Sequence, residues 1–435
     1  MFKNFFRDSV GFTVANICVK ALNIILVPIY IRYLSFDDYG AFELITTLTV
    51  IFVVVVTLEL TQSIIRFVPD NESNEILQRS YISSAVHTIL FSCLIFVFLV
   101  YFFSPWISNI LFKSLSYSQT IKLIGPIIAL QALNYSIAVT FRSKREFSSA
   151  IFHSLMVASF VGGFGIVFLI SSSGNLNQFL LGQIIGGSAS VLIGFYKIRS
   201  LIFYKINWLI VKQIVSFSFP LILSGIAIHL STFADRLIIN ELLSLESLAV
   251  YGIAAKAASL VTIVISGVQG TLAPHFISSW NSSSGLRSLS QIFFIYLILS
   301  IFLLFFLYVF GEHIIIFLGT NKAASGVDVL LILASSAVIN GLNIFLFGLI
   351  KSLKTSILSL IYLCTAILNI VLNYYFISEF GILGAAIATL IATSIGFLVH
   401  FYFSSKHLKL PFSSLIPICF IITLLGFNFF YAYIS

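Results

Sequence analysis

Ionisable residues interrupt stretches that are otherwise apolar, among them Lys20, Glu59, Arg66, Asp235, Arg236 and Lys256. An ionised group at bilayer depth costs at least about 2.5–3.5 kcal/mol, so it faces a wet cavity or a partner. Thr13, Asn16, Lys20 and Asn23 are spaced three and four apart and form one polar stripe on a helix. Lys20 would lie about 15 Å from either end of its run at helical rise, too deep to reach water easily. Glu59, Gln62 and Arg66 share a second face. An interfacial anchor also accounts for Arg66, and a structural pair with Lys20 or Arg66 also accounts for Glu59. The sharper chemistry for Glu59 is a protonatable group that couples transport to an ion gradient. His229, Thr232 and Arg236 share a third face, with Asp235 adjacent. Asp235–Arg236 also reads as a local pair near a membrane surface, and His229 as a packing residue. Lys256, Ser259 and Thr262 start a fourth stripe that continues through Ser266 and Gln269. Lys256 sits in the outer half of its run, where snorkelling outward competes with facing a cavity. The cations Lys20, Arg66, Arg236 and Lys256 outnumber the acids Glu59 and Asp235. A cavity with that balance attracts an anion, and phosphate or diphosphate is the obvious one.

The elements that must carry these residues follow from composition. Of 435 residues, 59% are apolar and only 9% are charged, with a mean hydropathy of +1.10. A soluble domain carries about 25% charged residues and cannot hide so much apolar surface. Soluble enzymes, secreted disulfide scaffolds and disordered chains are therefore excluded. Thirteen runs are long enough to span a bilayer, each near the roughly 20 residues required. They begin with Ser9–Tyr33 and Gly40–Phe67, include Lys212–Glu241 and Ser247–Ile277, and end with Phe412–Ala432. The runs are continuous, which argues for helices over the alternating strands of a barrel. With the N-terminus in the cytoplasm, sixteen of the 23 Lys and Arg fall at cytoplasmic ends and four at outer ends. That is a strong positive-inside bias. The predicted class is an all-α polytopic membrane protein. Its predicted parts are an N-lobe of six spans over 1–200, a basic linker over 201–211, a C-lobe of six spans over 212–404, and an additional span over 405–435. Pro28 and Pro220 fall at equivalent positions of the two lobes, where each could kink a helix.

Other chemistry is absent from the pattern. No phosphate-binding G-x-x-x-x-G-K-[ST], no HExxH, no G-x-S-x-G and no Cys/His metal cluster occurs. No catalytic residue, metal or cofactor is expected, and no cleavable signal peptide. The net charge of +8 reflects basic cytoplasmic loops, not a nucleic-acid partner. Cys18, Cys93, Cys364 and Cys419 sit in apolar runs and are expected to be buried, inert thiols. Gln131, Asn134, Asn340, Asn343, Asn369 and Asn373 are expected to hydrogen-bond between helices.

Several stretches resemble a known family. Val27-Pro28-Ile29-Tyr30-Ile31-Arg32-Tyr33-Leu34-Ser35-Phe36-Asp37-Asp38-Tyr39-Gly40 resembles the first loop of bacterial polysaccharide flippases. Leu60-Thr61-Gln62-Ser63-Ile64-Ile65-Arg66-Phe67 looks like their second-span ending. Phe219-Pro220, then Ala234-Asp235-Arg236-Leu237-Ile238-Ile239, then Val250-Tyr251-Gly252-Ile253-Ala254-Ala255-Lys256 looks like their second-lobe signature. These are the O-antigen and oligosaccharide-lipid flippases of the multidrug/oligosaccharidyl-lipid/polysaccharide exporter superfamily. The resemblance implies two six-helix lobes in a V around a central cationic cavity, in a bacterial inner membrane. It implies a polyprenyl-diphosphate-linked oligosaccharide as substrate, moved to the outer leaflet without a cofactor. The cationic cavity would match Lys20, Arg66 and Lys256. Glu59, where a small or apolar residue is expected, and the odd thirteenth span depart from the family pattern. Membrane lipid and glycan polymerase or assembly proteins are the expected partners, and a monomer is expected. Three alternatives stay open: a cation-drug antiporter of the same superfamily, which Lys20 opposes, a peptidoglycan-precursor flippase, and a membrane scaffold for glycan assembly.

Overall fold

A computed structural model describes residues 17–279, 283–346, 355–407 and 415–434. Asn16, a member of the first polar stripe, lies outside the described residues. Among the described residues there is no strand, and ten helices are long and apolar enough to cross a membrane. Only helices satisfy every backbone group within one segment in lipid, so this is the architecture that the apolar runs require. The chain packs as two units, Met1–Phe233 and Ala234–Ser435. The sequence reading sets its linker at 201–211, whereas this division falls inside a single helix.

In the first unit, residues 17–25 are helical and reach α1 (Val27–Tyr33) through a turn at Leu26. Pro28 occupies the first turn of α1, where its missing N–H costs nothing. Ser35 caps α2 (Phe36–Thr57) by accepting from the Asp38 amide at 3.1 Å. The second span does not continue straight to Phe67. Leu58 and Glu59 both adopt left-handed backbone, at φ 50° and 51°, and the chain resumes as α3 (Leu60–Asp70). After α3 come α4 (Glu75–Phe102), the short α5 (Ser104–Phe112), α6 (Ser118–Ser143), α7 (Phe147–Ser171) and α8 (Leu176–Ile202). Helices α7 and α8 pack at very short range. A methyl group at Gly182 or Gly186 would collide with the Phe164 or Phe160 carbonyl of α7. Small residues four apart let membrane helices approach closely where lipid supplies no hydrophobic drive. Helix α9 (Trp208–Leu242) follows and runs on through Pro220.

Its first half belongs to the first unit and is tied there by side chains. Tyr81 of α4 donates to Gln213 Oε1 at 3.0 Å, and the Phe67 and Phe217 rings meet at 5.2 Å. The preceding linker is held as well: Ser83 Oγ lies 2.9 Å from the Ile202 carbonyl and 2.7 Å from that of Tyr204.

The second unit takes the end of α9, then α10 (Leu245–Ser279), α11 (Ser283–Gly319), α12 (Val327–Leu342), α13 (Thr355–His407) and α14 (Leu415–Ile434). The 53 residues of α13 would measure about 80 Å as one rod. They fold back instead at Gly381, whose φ of 60° and ψ of −140° suit glycine almost alone. Asn369 Nδ2 thereby donates to Thr389 Oγ1 at 3.4 Å across the hairpin. Helix α13 is thus the predicted eleventh and twelfth spans. Helix α14 docks on α12 through Asn428 Nδ2, which donates to Ser335 Oγ at 3.0 Å in a buried position. The cysteine expectation needs correcting: all four are free thiols, but only Cys93 is buried, and Cys18, Cys364 and Cys419 are exposed. Apolar residues of a membrane helix can point away from the protein because lipid replaces the core there.

Candidate functional site: polar clusters around Glu59 and Asp235

The first acid cluster grows from the break in the second span. Two successive left-handed, non-glycine residues cost about 1–3 kcal/mol each and persist only where surroundings enforce them. The break turns Glu59 into the residue preceding α3 rather than a member of a continuous helical face. Its carboxylate is hydrogen-bonded by the Gln62 side chain. On its other side it packs against Gly225 of α9, where an added Cβ would stand 2.6 Å from Oε1. Gly225 is therefore the notch that admits the acid. His229, half-buried, lies one turn further along α9 on the face of Gly225. Arg66 does not join Glu59: it is exposed and pairs with Asp70 through 3.4 Å, one turn ahead on its own helix. Lys20 is exposed on the helical stretch 17–25.

The second acid cluster lies in the second unit and links four spans. Asp235 is 7% exposed and accepts three donors. The Arg236 amide reaches Oδ1 at 2.8 Å, Arg236 Nη1 reaches it at 3.2 Å, and the Tyr251 hydroxyl of α10 donates to Oδ2. The Arg236 guanidinium also stands 5.7 Å from the Tyr251 ring centroid. Tyr251 is fully buried and its hydroxyl also meets Thr389 in the second arm of α13. Thr389 in turn accepts from Asn369, and Asn373 Nδ2 donates to Asn369 Oδ1 at 3.0 Å. The result is a chain of polar contacts, Asp235–Tyr251–Thr389–Asn369–Asn373, through an apolar interior. A buried carboxylate is tolerable only with such donors, because removing it from water costs several kcal/mol. Buried Asn373 Oδ1 ends the chain without a hydrogen-bond donor. Lys256 is half-buried on α10, as are Ser259 and Thr262 on the same face. Their hydroxyls bond back to the Lys256 and Ser259 carbonyls at 2.6 and 2.7 Å.

Sequence reasoning identified Asp235, Arg236, Asn369 and Asn373 but missed Tyr251 and Thr389, which join them. Tyr251 lies within the stretch Val250–Lys256 that carries the family resemblance, and Thr389 lies one turn from Thr393. Neither type stands out in a chain with 18 Tyr and many hydroxyls. Asn134 and Asn343 do link helices, through the Gly187 carbonyl at 3.3 Å and His400 Nδ1 at 2.8 Å. Among the described residues no group of three or more His, Cys, Asp or Glu is arranged to hold a metal ion.

The helical organisation is that of a multi-pass membrane transporter fold. Its backbone matches an inward-facing multidrug-resistance MATE family transporter at a TM-score of 0.71, with 11% identity over 89% of this chain and 94% of that one. It matches the lipid II flippase MurJ, inward closed, at 0.68, with 19% identity over 98% of this chain and 99% of that one. The chain belongs to the polysaccharide biosynthesis protein family, whose model matches residues 5–280, while the MatE model matches residues 220–375. The probable low-salt glycan biosynthesis flippase Agl15 of Haloferax volcanii is 22% identical over 93% of this chain and 84% of its own. The putative O-antigen transporter of Shigella flexneri is 24% identical over 76% of this chain and 81% of its own.

Proposed function

We propose that this protein is a flippase that moves a polyprenyl-diphosphate-linked oligosaccharide from the cytoplasmic to the outer leaflet of a bacterial inner membrane. The observation that carries the reading is the retention of Lys20 and Lys256 inside apolar spans of a polysaccharide biosynthesis family member. Positive side chains at membrane depth are costly and are repaid by an anionic cargo. The diphosphate is assigned to Lys20 and Lys256, with Asn16, Gln62, Arg66 and Arg236 as further polar contacts along its path. Arg66 pairs with Asp70, and Arg236 with Asp235. Alternating access supplies the translocation, with the membrane potential or an ion gradient as the drive. Asp235 and Glu59 are the coupling groups, and His229 supports Glu59. The N-terminus is placed in the cytoplasm, and a glycan polymerase would consume the product outside.

The test is translocation of a labelled polyprenyl-diphosphate oligosaccharide in vesicles holding the purified protein, wild type beside Lys20→Ala. Wild type is expected to translocate it, and the variant to insert normally but lose transport. Equal transport by both would remove Lys20 from the path. No transport by correctly inserted wild type would overturn the flippase reading.

A further inference from the structure

The first half of α9 presents a surface that the flippase reading does not use. Trp208, Val211, Lys212, Val215, Ser216, Phe219 and Pro220 line an open groove of about 470 Å³. They recur at alternating steps of three and one, so they form one narrow stripe about 18 Å long. The neighbouring face of the same helix is fixed: Ile210, Ile214 and Ser218 are buried, Phe217 meets Phe67, and Gln213 accepts from Tyr81. The stripe is therefore held rigidly while its own side chains stay open, with Trp208 78% and Phe219 67% exposed.

Its chemistry is polarised along its length. At one end, exposed Lys212 and Lys205 make no hydrogen bond, ion pair or ring contact among the described residues. No Asp or Glu occurs anywhere between residues 196 and 220. From that end Val211, Val215 and Phe219 continue as an apolar track. Pro220 carries no N–H, so the Ser216 carbonyl lacks its helical donor and leaves one acceptor beside the Ser216 hydroxyl. Lys205, in the loop before α9, and Lys212, in its first turns, give this end positive charge without an acid, which suits an anionic phosphate head group. A track one side chain wide suits a single unbranched chain better than a two-tailed phospholipid.

We infer that this groove binds the polyprenyl diphosphate of the substrate, with the phosphates on Lys205 and Lys212 and the prenyl chain along Val211, Val215 and Phe219. The inference rests on the flippase reading and adds a docking site on α9 to it. Trp208 reports occupancy. In a Trp106→Phe/Trp280→Phe variant it is the remaining indole of three. That variant, in phosphatidylcholine nanodiscs, is titrated with undecaprenyl diphosphate. A saturable change in Trp208 emission is expected, with at least a tenfold weaker half-saturation in Lys205→Gln/Lys212→Gln. An equal response to phosphatidylglycerol would overturn the site in favour of general attraction to anionic lipid. In parallel, a benzophenone-bearing polyprenyl diphosphate is photolysed with wild-type protein, which needs no variant to fold. Labelling mapped to 208–220, and competed by undecaprenyl diphosphate, is expected; labelling confined to other helices would overturn the site. Translocation in the same preparations separates the two claims. Transport without groove occupancy removes the groove and leaves the flippase, whereas occupancy by wild type that never transports removes the flippase and leaves a lipid site.

Discussion

At the residue scale, Asp235 has its charge spread over donors from its own helix and from α10. Each donor offsets part of the cost of keeping a carboxylate in an apolar interior; losing Tyr251 leaves Oδ2 only the weak 3.5 Å contact from Arg236 Nη1, at about 1–3 kcal/mol. Tyr251→Phe should therefore lower the unfolding temperature of the purified protein. Asp235→Ala should do more harm, about 3–5 kcal/mol, since it removes the buried carboxylate that both Arg236 and Tyr251 donate to. A thermal shift equal to wild type in both variants would show that the cluster contributes nothing to stability. The charged members of this cluster were legible because an Asp or Arg in an apolar run must be explained. Tyr251 and Thr389 were not, because an aromatic ring or a hydroxyl costs little in a membrane helix and becomes meaningful only when helices far apart in sequence meet. Glu59 was legible as an acid but not in its setting, since its neighbour Gly225 lies 166 positions later.

At the scale of elements, the two interruptions of apolar helices differ in how they announce themselves. The reversal within α13 falls at Gly381, and a glycine between two apolar runs is a readable boundary. The break between α2 and α3 falls at Leu58 and Glu59, two residues that favour helix and give no local sign of a stop. Tertiary packing against α9 sets that break, so the sequence reading carries one continuous run to Phe67. Gly381→Ala forces a Cβ into a backbone region reserved for glycine, at a cost of about 1–3 kcal/mol. The measurement is resistance to urea or heat in detergent. A variant as stable as wild type would mean that the hairpin can turn elsewhere. The close packing of α7 on α8 illustrates a third case: Gly182 and Gly186 are visible as a pair, but which helix they receive is visible only in the fold.

At the scale of the whole molecule, the hairpin in α13 raises the number of passes above the number of long helices. The apolar runs of the sequence predict thirteen, a number reached only if the helical stretch 17–33 and the docked α14 also cross. With thirteen passes, positions 4 and 435 would face opposite sides of the membrane. Single cysteines placed at position 4 and position 435, in a background without the four native thiols, should react with an impermeant maleimide from opposite faces of sealed vesicles. Reaction from the same face would show that one pass is missing. The seventh span carries a different consequence, for biogenesis. The first unit is complete only when the chain reaches Phe233, 22 residues beyond the linker at 201–211 that the sequence offers as a natural cut. A gene divided at that linker would yield an amino-terminal fragment without Gln213, Phe217 and Gly225, leaving Tyr81 and the Glu59 notch unfilled until the second fragment arrives. Division after Leu242 would give an amino-terminal fragment that contains its whole unit, but it would take Asp235 and Arg236 away from Tyr251, so α9 belongs to both units and ties their folding together.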